Sequence, residues 1–230
     1  MTNQHLQTIA SEFAKQARGF GQKGLTLSSD ELLAWAVDNL PLDDVADALD
    51  IATGTAHLAR ALAPHAGRIV GLDATPEMLA PGMDAAREAG IENLRFVRGL
   101  AEMLPFGDES FDLTICRLAI HHYQRPSRHV AEMARTCKSG GTVAIVDLVA
   151  PVEDELAERY NHYERLRDPS HTEALSIDGL AALLEAASVA ADNVASRPVT
   201  VAVQPWLALT RTPPEPADVI RRALLDELDG

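Results

Sequence analysis

The sequence predicts a doubly wound α/β fold, a mostly parallel sheet with helices on both faces. Three observations carry that expectation. Short apolar runs alternate with helix-length amphipathic stretches, the signature of strands joined by crossover helices. The run from Val45 to Asp50 ends in an acid and passes through the small-residue turn Ile51-Ala52-Thr53-Gly54-Thr55-Ala56 into a helical pattern. The next run, Ile69-Val70-Gly71-Leu72, ends in Asp73. That spacing is close to the roughly 20 residues between a cofactor-binding turn and a carboxylate that grips ribose hydroxyls.

Taken in order, residues 4–18 and 29–39 read as helices that form an N-terminal cap over 1–40. Strands are expected at 45–51, 68–72, 94–98, 112–116, 141–148 and 194–203. The helices between them fall at 56–64, 76–89, 126–137 and 176–187. Pro76 starts the second of these, because its missing N–H is unneeded at a first helical position, and Gly90 stops it. Ser139-Gly140-Gly141 is the turn into the fifth strand. An extra helix at 151–166 interrupts the alternation and breaks at Arg167-Asp168-Pro169-Ser170-His171. A polar, aromatic insertion over 151–171, at the carboxyl end of a strand, is where a lid over a ligand cleft arises. Residues 205–230 form a helical tail punctuated by Pro205, Pro213, Pro214 and Pro216. The whole chain, 1–230, reads as a single domain without internal repeats.

Composition narrows the function classes. The chain has 230 residues, 47% hydrophobic and 23% charged, enough for a full α/β core. Its net charge of −14 argues against nucleic acid, whose phosphates it would repel. No apolar run approaches the ~18–20 residues that span a bilayer, and no basic-plus-apolar leader opens the chain. The expectation is a cytoplasmic protein, monomeric or homodimeric, that acts on a small molecule. Cys116 and Cys137 lack a Cys-x-x-Cys spacing and read as reduced core thiols. The histidines are scattered, with His121 and His122 adjacent instead of one helical turn apart, so no metal site is expected.

An ordered series of motifs carries a more specific signal. It runs Leu49-Asp50-Ile51-Ala52-Thr53-Gly54-Thr55-Ala56, Gly71-Leu72-Asp73-Ala74-Thr75-Pro76-Glu77-Met78-Leu79 and Ala101-Glu102-Met103-Leu104-Pro105-Phe106. It continues with Asp108-Glu109-Ser110-Phe111-Asp112-Leu113-Thr114, Leu118-Ala119-Ile120-His121-His122 and Lys138-Ser139-Gly140-Gly141. Over roughly residues 10–205 this series resembles the class I S-adenosylmethionine-dependent methyltransferases. The branch it is most similar to holds quinone-biosynthesis C-methyltransferases and small-molecule methyltransferases.

The resemblance implies a Rossmann-like sheet, S-adenosylmethionine as cofactor and S-adenosylhomocysteine as product. It places Asp50, Ala52, Gly54, Asp73, Ala74, Met78, Ala101, Glu102 and Arg117 around that cofactor. Gly54 would admit the methionyl moiety, Asp50 would order the turn, and Asp73 would accept both ribose hydroxyls. Met78 would pack on adenine, with Ala101 and Glu102 at its edge, and Arg117 and Leu118 would border the sulfonium. His122, with His121 beside it, is the candidate general base for an acceptor that must lose a proton. His162, Tyr163 and His171 are lid-borne alternatives for that base, and Tyr160, Tyr163, Arg167 and His171 are candidates for substrate contact. Phe13, Phe20, Trp35 and Tyr160 are candidate pocket walls.

The chain departs from the family pattern at Ala52 and Ala56, where glycine is usual, and at Leu100, where an acid usually meets adenine. Ala56 fits easily only if its φ is negative. No seventh strand is evident after residue 205. These departures keep two other readings open: a methyltransferase-fold enzyme that binds the cofactor for another reaction, and a non-catalytic binding module.

Overall fold

The structure, a computed structural model, describes residues 3–16 and 29–229. Its centre is a five-stranded parallel sheet in the order β3-β2-β1-β4-β5. The strands are β1 (Asp47–Ile51), β2 (Arg68–Asp73), β3 (Leu94–Arg98), β4 (Phe111–Arg117) and β5 (Cys137–Val146). The chain winds outward through β2 and β3, then returns to pair β4 with the other side of β1. Ligands of open α/β sheets bind at such a reversal, outside the carboxyl ends of the strands. Asp50, Asp73 and Arg117 all sit at that end.

Helices cover both faces. α1 (Asn3–Gln16) and α2 (Asp30–Asp38) precede the sheet; α3 (His57–Leu62), α4 (Pro76–Glu88) and α5 (Pro126–Thr136) join its strands. Local chemistry sets their ends. The Ser29 hydroxyl accepts from Leu32 N at 3.4 Å with Asp30 and Glu31 in the first turn of α2. Pro76 opens α4, and Gly90 follows it at φ +67°. Alternate residues of β1 enter opposite cores, as expected for a strand buried on both faces. Ala48 joins Leu58, Leu62, Ile69, Leu113 and Ile115; Leu49 and Ile51 join Leu72, Cys116, Val130 and Met133.

Two expectations about strands are corrected. β5 begins at Cys137, four residues before the expected start at 141, because the Ser139-Gly140-Gly141 turn interrupts the strand instead of preceding it. Phe111 pairs with Cys137 and Leu113 with Thr142, so the glycines loop out between the two pairings, Gly140 at φ +77°. The expected strand at 194–203 is absent: residues 189–202 carry no regular structure and α8 (Val203–Leu209) starts at the last residue. The alternation Val199, Val201, Val203 imitates a strand, but Pro198 has no N–H for a ladder. Val194, Val199 and Val201 are 59%, 45% and 40% exposed, so no face of the segment is buried. The sheet therefore has five strands and not six.

Beyond β5 come α6 (Asp154–Arg167), α7 (Ile177–Ala186), α8 and α9 (Pro214–Asp229). Leu207, Ala217 and Ile220 of the last two pack on Tyr163 and Leu166, so the tail braces the inserted helix α6. Among the described residues no helix is long and apolar enough to cross a membrane.

His129 on α5 is fully buried with its ring edge-on to Tyr123 at 4.5 Å, and neither ring nitrogen has a hydrogen-bond partner among the described residues. Burial pushes its pKa down to about 3, against about 6.5 when unfolded. The unfolded chain therefore takes up the proton first: this contribution to stability is present above about pH 6.5 and is lost as pH falls toward 3. We expect His129→Leu to gain about 1 kcal/mol more over wild type at pH 5.5 than at pH 7.5 in urea unfolding. An equal effect at both pH values would contradict the assignment.

Candidate functional site

The turn after β1 is built on two carboxylates, one buried and one half-buried. Asp50 is 1% exposed; its Oδ2 accepts the Thr53 hydroxyl at 2.6 Å and Ala59 N, in the first turn of α3, at 3.2 Å. Asp73 Oδ2 accepts Gly54 N at 2.9 Å, and Oδ1 accepts Thr75 N at 2.8 Å. Between them the backbone is left-handed at Ala52 (φ +56°), Gly54 (+55°) and Ala56 (+60°). The negative φ that would ease Ala56 is thus not adopted. A Cβ on Gly54 would stand 3.1 Å from Met78 Cε, which closes that side.

Burial sets the charges here. It raises the Asp50 pKa to about 7, although Thr53 and the nearby Arg117 pull the other way. It also raises Asp73, against the backbone bonds from Thr75 and Gly54. Arg117 is lowered by burial, with Asp50 and Asp147 opposing.

Two clefts meet at this turn. A narrow one is lined by Ala52, Gly54, Asp73, Ala74, Met78, Leu100 and Ala101, and Leu6, Ile9 and Phe13 of α1 cover it. A cleft of about 1870 Å³ opens between β5, α2, α6 and α8, lined by Asp50, Arg117, His121, Tyr160, Tyr163 and Arg167. Phe13, Ala52, Gly54, Met78, Leu118 and His122 line both. Glu102, half-buried next to Ala101, lines neither, and Leu100 gives the narrow cleft an apolar edge.

A cluster of buried histidine rings stands beside the junction. His121 and His122 lie 4.1 Å apart, and His171 is 5.3 Å from His121. Each has its own partner. His121 Nδ1 bonds Asp147 Oδ1, and Asp147 Oδ2 accepts Ile120 N at 2.7 Å. His122 Nδ1 bonds Ser170 Oγ at 3.1 Å, and that hydroxyl donates to Asp168 Oδ1 at 2.5 Å. His171 Nε2 bonds Asn161 Oδ1 at 2.8 Å. Burial penalises a charge on His121, yet Asp147 outweighs it and holds the pKa above the usual histidine value. His122 and His171 fall to about 3, through burial and then the His121 charge. Among the described residues no group of side chains could hold a metal ion.

The lid-borne candidates separate. Tyr160 lines the larger cleft beside Glu164, whereas the Tyr163 hydroxyl donates to Glu227 at 3.2 Å. Arg167 is paired with Glu164 at 2.9 Å and lies over the Trp206 ring at 4.8 Å. His171 lines neither cleft, and His162 is exposed. Phe20 falls outside the described residues, as do the last two positions of the helix expected at 4–18. Sequence reading passed over Asp147, although the run Val143-Ala144-Ile145-Val146 ends in it as earlier runs end in Asp50 and Asp73. Asp168 and Ser170 were visible in the Arg167–His171 break but carried no assigned role.

Residues 49–145 match the family described as a methyltransferase domain. The solved structure of YcgJ from Bacillus subtilis superposes with a TM-score of 0.79 at 34% identity, over 84% of this chain and 82% of that one. The chain belongs to the S-adenosylmethionine-dependent methyltransferase family. By sequence alone it is 39% identical to the uncharacterised methyltransferase YcgJ of B. subtilis over 72% of this chain and 65% of the relative, so the match spans about two thirds of that protein. A structure from Bacillus halodurans described as that of a putative methyltransferase gives a TM-score of 0.77 at 32% identity, covering 80% of each chain. The demethylmenaquinone methyltransferase of Bacillus velezensis is 30% identical over 63% of this chain and 65% of its own length.

For this methyltransferase the turn makes opposite predictions at neighbouring positions. Left-handed backbone costs a non-glycine residue roughly 1–2 kcal/mol. We expect Ala52→Gly to leave stability unchanged or raise it by up to about 1 kcal/mol, the relief offset by unfolded-state entropy. Gly54→Ala, with both the strain and the Met78 contact, should lose about 1–2 kcal/mol. Thermal unfolding of the two variants checks the pair of signs.

Proposed function

We propose that the protein transfers a methyl group from S-adenosylmethionine to an uncharged, largely apolar small molecule, with His122 as general base. The observation that carries this reading is the meeting of two clefts along Gly54, Met78, Leu118 and His122. One cleft suits the cofactor and the other the acceptor, so the transferred group would cross at their junction.

The residues of the narrow cleft fit the cofactor. Asp73 lines the narrow cleft at the end of β2, and the two oxygens of a carboxylate suit a vicinal diol. Gly54 leaves open the space that a Cβ would fill next to Met78, and Ala101 and Leu100 offer flat apolar contact. Asp50 acts one step back, holding the turn and not reaching into the cleft. When bound, S-adenosylmethionine supplies a methyl on a positive sulfur, which leaves as a neutral thioether once the acceptor's electron pair forms the new bond.

What remains for the chain is to orient the acceptor and take its proton. Phe13, Trp35, Tyr160 and Trp206 give the larger cleft aromatic walls. Two of its charges are paired with neighbours, Arg167 with Glu164 and Asp147 with His121. That pairing next to the junction favours a neutral acceptor bearing an O–H or an acidic C–H. His121 holds its positive charge against Asp147, so the neutral ring of His122 is the one able to accept a proton.

Thermal unfolding with S-adenosylmethionine and with S-adenosylhomocysteine tests the cofactor assignment. Either ligand at 100 times its dissociation constant should add about 2.7 kcal/mol, and Asp73→Ala should remove the effect. No stabilisation of the wild type by either would sink the reading. Stabilisation without methylated product from a panel of phenols, alcohols and carbon acids would favour another reaction on the same fold. With an acceptor in hand, His122→Asn should lower kcat about 100-fold or more while leaving cofactor affinity unchanged; an unaltered kcat would remove His122 as base.

A further inference from the structure

The break after α6 does more than end a helix. Pro169 fixes the backbone between Asp168 and Ser170, and Asp168 Oδ1 accepts Ser170 N at 2.9 Å, closing a local Asx-type turn. That turn sets the serine hydroxyl over the same carboxylate oxygen at 2.5 Å. Gln16 Nε2 of α1 holds the other oxygen at 3.4 Å. Asp168 is 3% exposed; burial opposes its charge, but the hydrogen bonds from Ser170 and Gln16 and the nearby Arg167 favour the ionised form.

Proton counting then settles which nitrogen of His122 is basic. A serine hydroxyl has one proton, and an ionised carboxylate can only accept. The Ser170 proton therefore goes to Asp168, and Ser170 Oγ must accept from its second neighbour, Nδ1 of His122 at 3.1 Å. Nδ1 carries the proton, and the lone pair is left on Nε2. The same counting puts the His171 proton on Nε2, since Asn161 Oδ1 also accepts Ala174 N at 2.7 Å and its Nδ2 donates to Ala157 O and Ala174 O. Of these three rings, His122 alone combines a neutral state with a place on both clefts.

We propose that Ser170 and Asp168 are positioning residues: through the serine hydroxyl, the carboxylate holds the neutral His122 ring in its Nδ1–H form and presents Nε2 to the acceptor. This rests on the reading of His122 as base. As the acceptor's proton moves to Nε2, its electron pair stays with the acceptor atom. Nδ1 keeps its own proton toward Ser170, and the new positive charge faces Asp168 across one hydroxyl. No proton leaves the relay.

The test reads the tautomer directly, in cofactor-free, ¹⁵N-labelled protein at pH 7, by long-range ¹H–¹⁵N correlation with His122→Asn for assignment. The expected wild-type result is a neutral His122 protonated on Nδ1. Ser170→Ala should shift the proton wholly or partly to Nε2, and Ser170→Thr should restore the Nδ1–H form. A wild-type ring protonated on Nε2 or on both nitrogens would overturn the proposal, as would a Ser170→Ala spectrum unchanged at His122. If Ser170→Ala does not fold, the wild type and Ser170→Thr still decide. With an acceptor in hand, Ser170→Ala should lose about 10-fold or more in kcat at unchanged KM for the cofactor. Failure of the cofactor reading shows separately, as absent stabilisation by S-adenosylhomocysteine with the tautomer pattern intact.

Discussion

Everything at the site depends on two carboxylates, Asp50 buried and Asp73 half-buried, holding one strained turn. Asp50 ties the turn to α3, and Asp73 ties it to the end of β2. Between them, Ala52 and Ala56 sit in left-handed backbone that costs a non-glycine residue roughly 1–2 kcal/mol. A hydrogen bond contributes about 0.5–1.5 kcal/mol, and about 1.5–3 kcal/mol when one partner is charged, so the bonds these acids accept from Thr53, Ala59, Gly54 and Thr75 are together large enough to offset that strain. Parallel pairing makes this possible: β1 and β2 end side by side, Ile51 opposite Leu72, which brings both acids to one rim of the sheet.

The second organising element is the charge balance around the histidines. An acid at the end of β5 meets His121, and an acid after α6 meets His122 through a serine. The two rings are 4.1 Å apart, and only one can be charged cheaply in a dry site. Direct contact with Asp147 gives the charge to His121; the interposed hydroxyl leaves His122 neutral. On the proposed reading, one sheet rim holds the cofactor cleft, the acceptor cleft and the base between them.

Much of this could be read from the residues. Asp50, Gly54 and Asp73 were legible because strand ends, a small-residue turn and a fixed spacing are local properties of the chain. The place of His122 at the carboxyl rim of the sheet was legible because it follows β4. Other parts depend on long-range contacts. That His122 meets Ser170 is a contact across 48 residues, and no local pattern announces it. Ala56, whose N–H donates to Thr53 O at 2.8 Å, takes a left-handed φ against the preference of alanine itself. The valines at 199, 201 and 203 show the opposite failure: a local alternation with no partner edge and a proline within reach of it. Arg167, a candidate for substrate contact in the sequence, is spent on Glu164 three residues earlier, a pairing that helical spacing allowed but did not require.

The central claim is spatial: Asp73 holds the ribose end of a bound cofactor while its sulfur lies at the junction beside His122. A crystal structure with S-adenosylhomocysteine tests it most directly. The account predicts both ribose hydroxyls on the Asp73 carboxylate, the turn at Gly54 along the homocysteine, and the sulfur facing the larger cleft next to His122. Ligand density elsewhere, or in the narrow cleft with its sulfur turned away from His122, would contradict it.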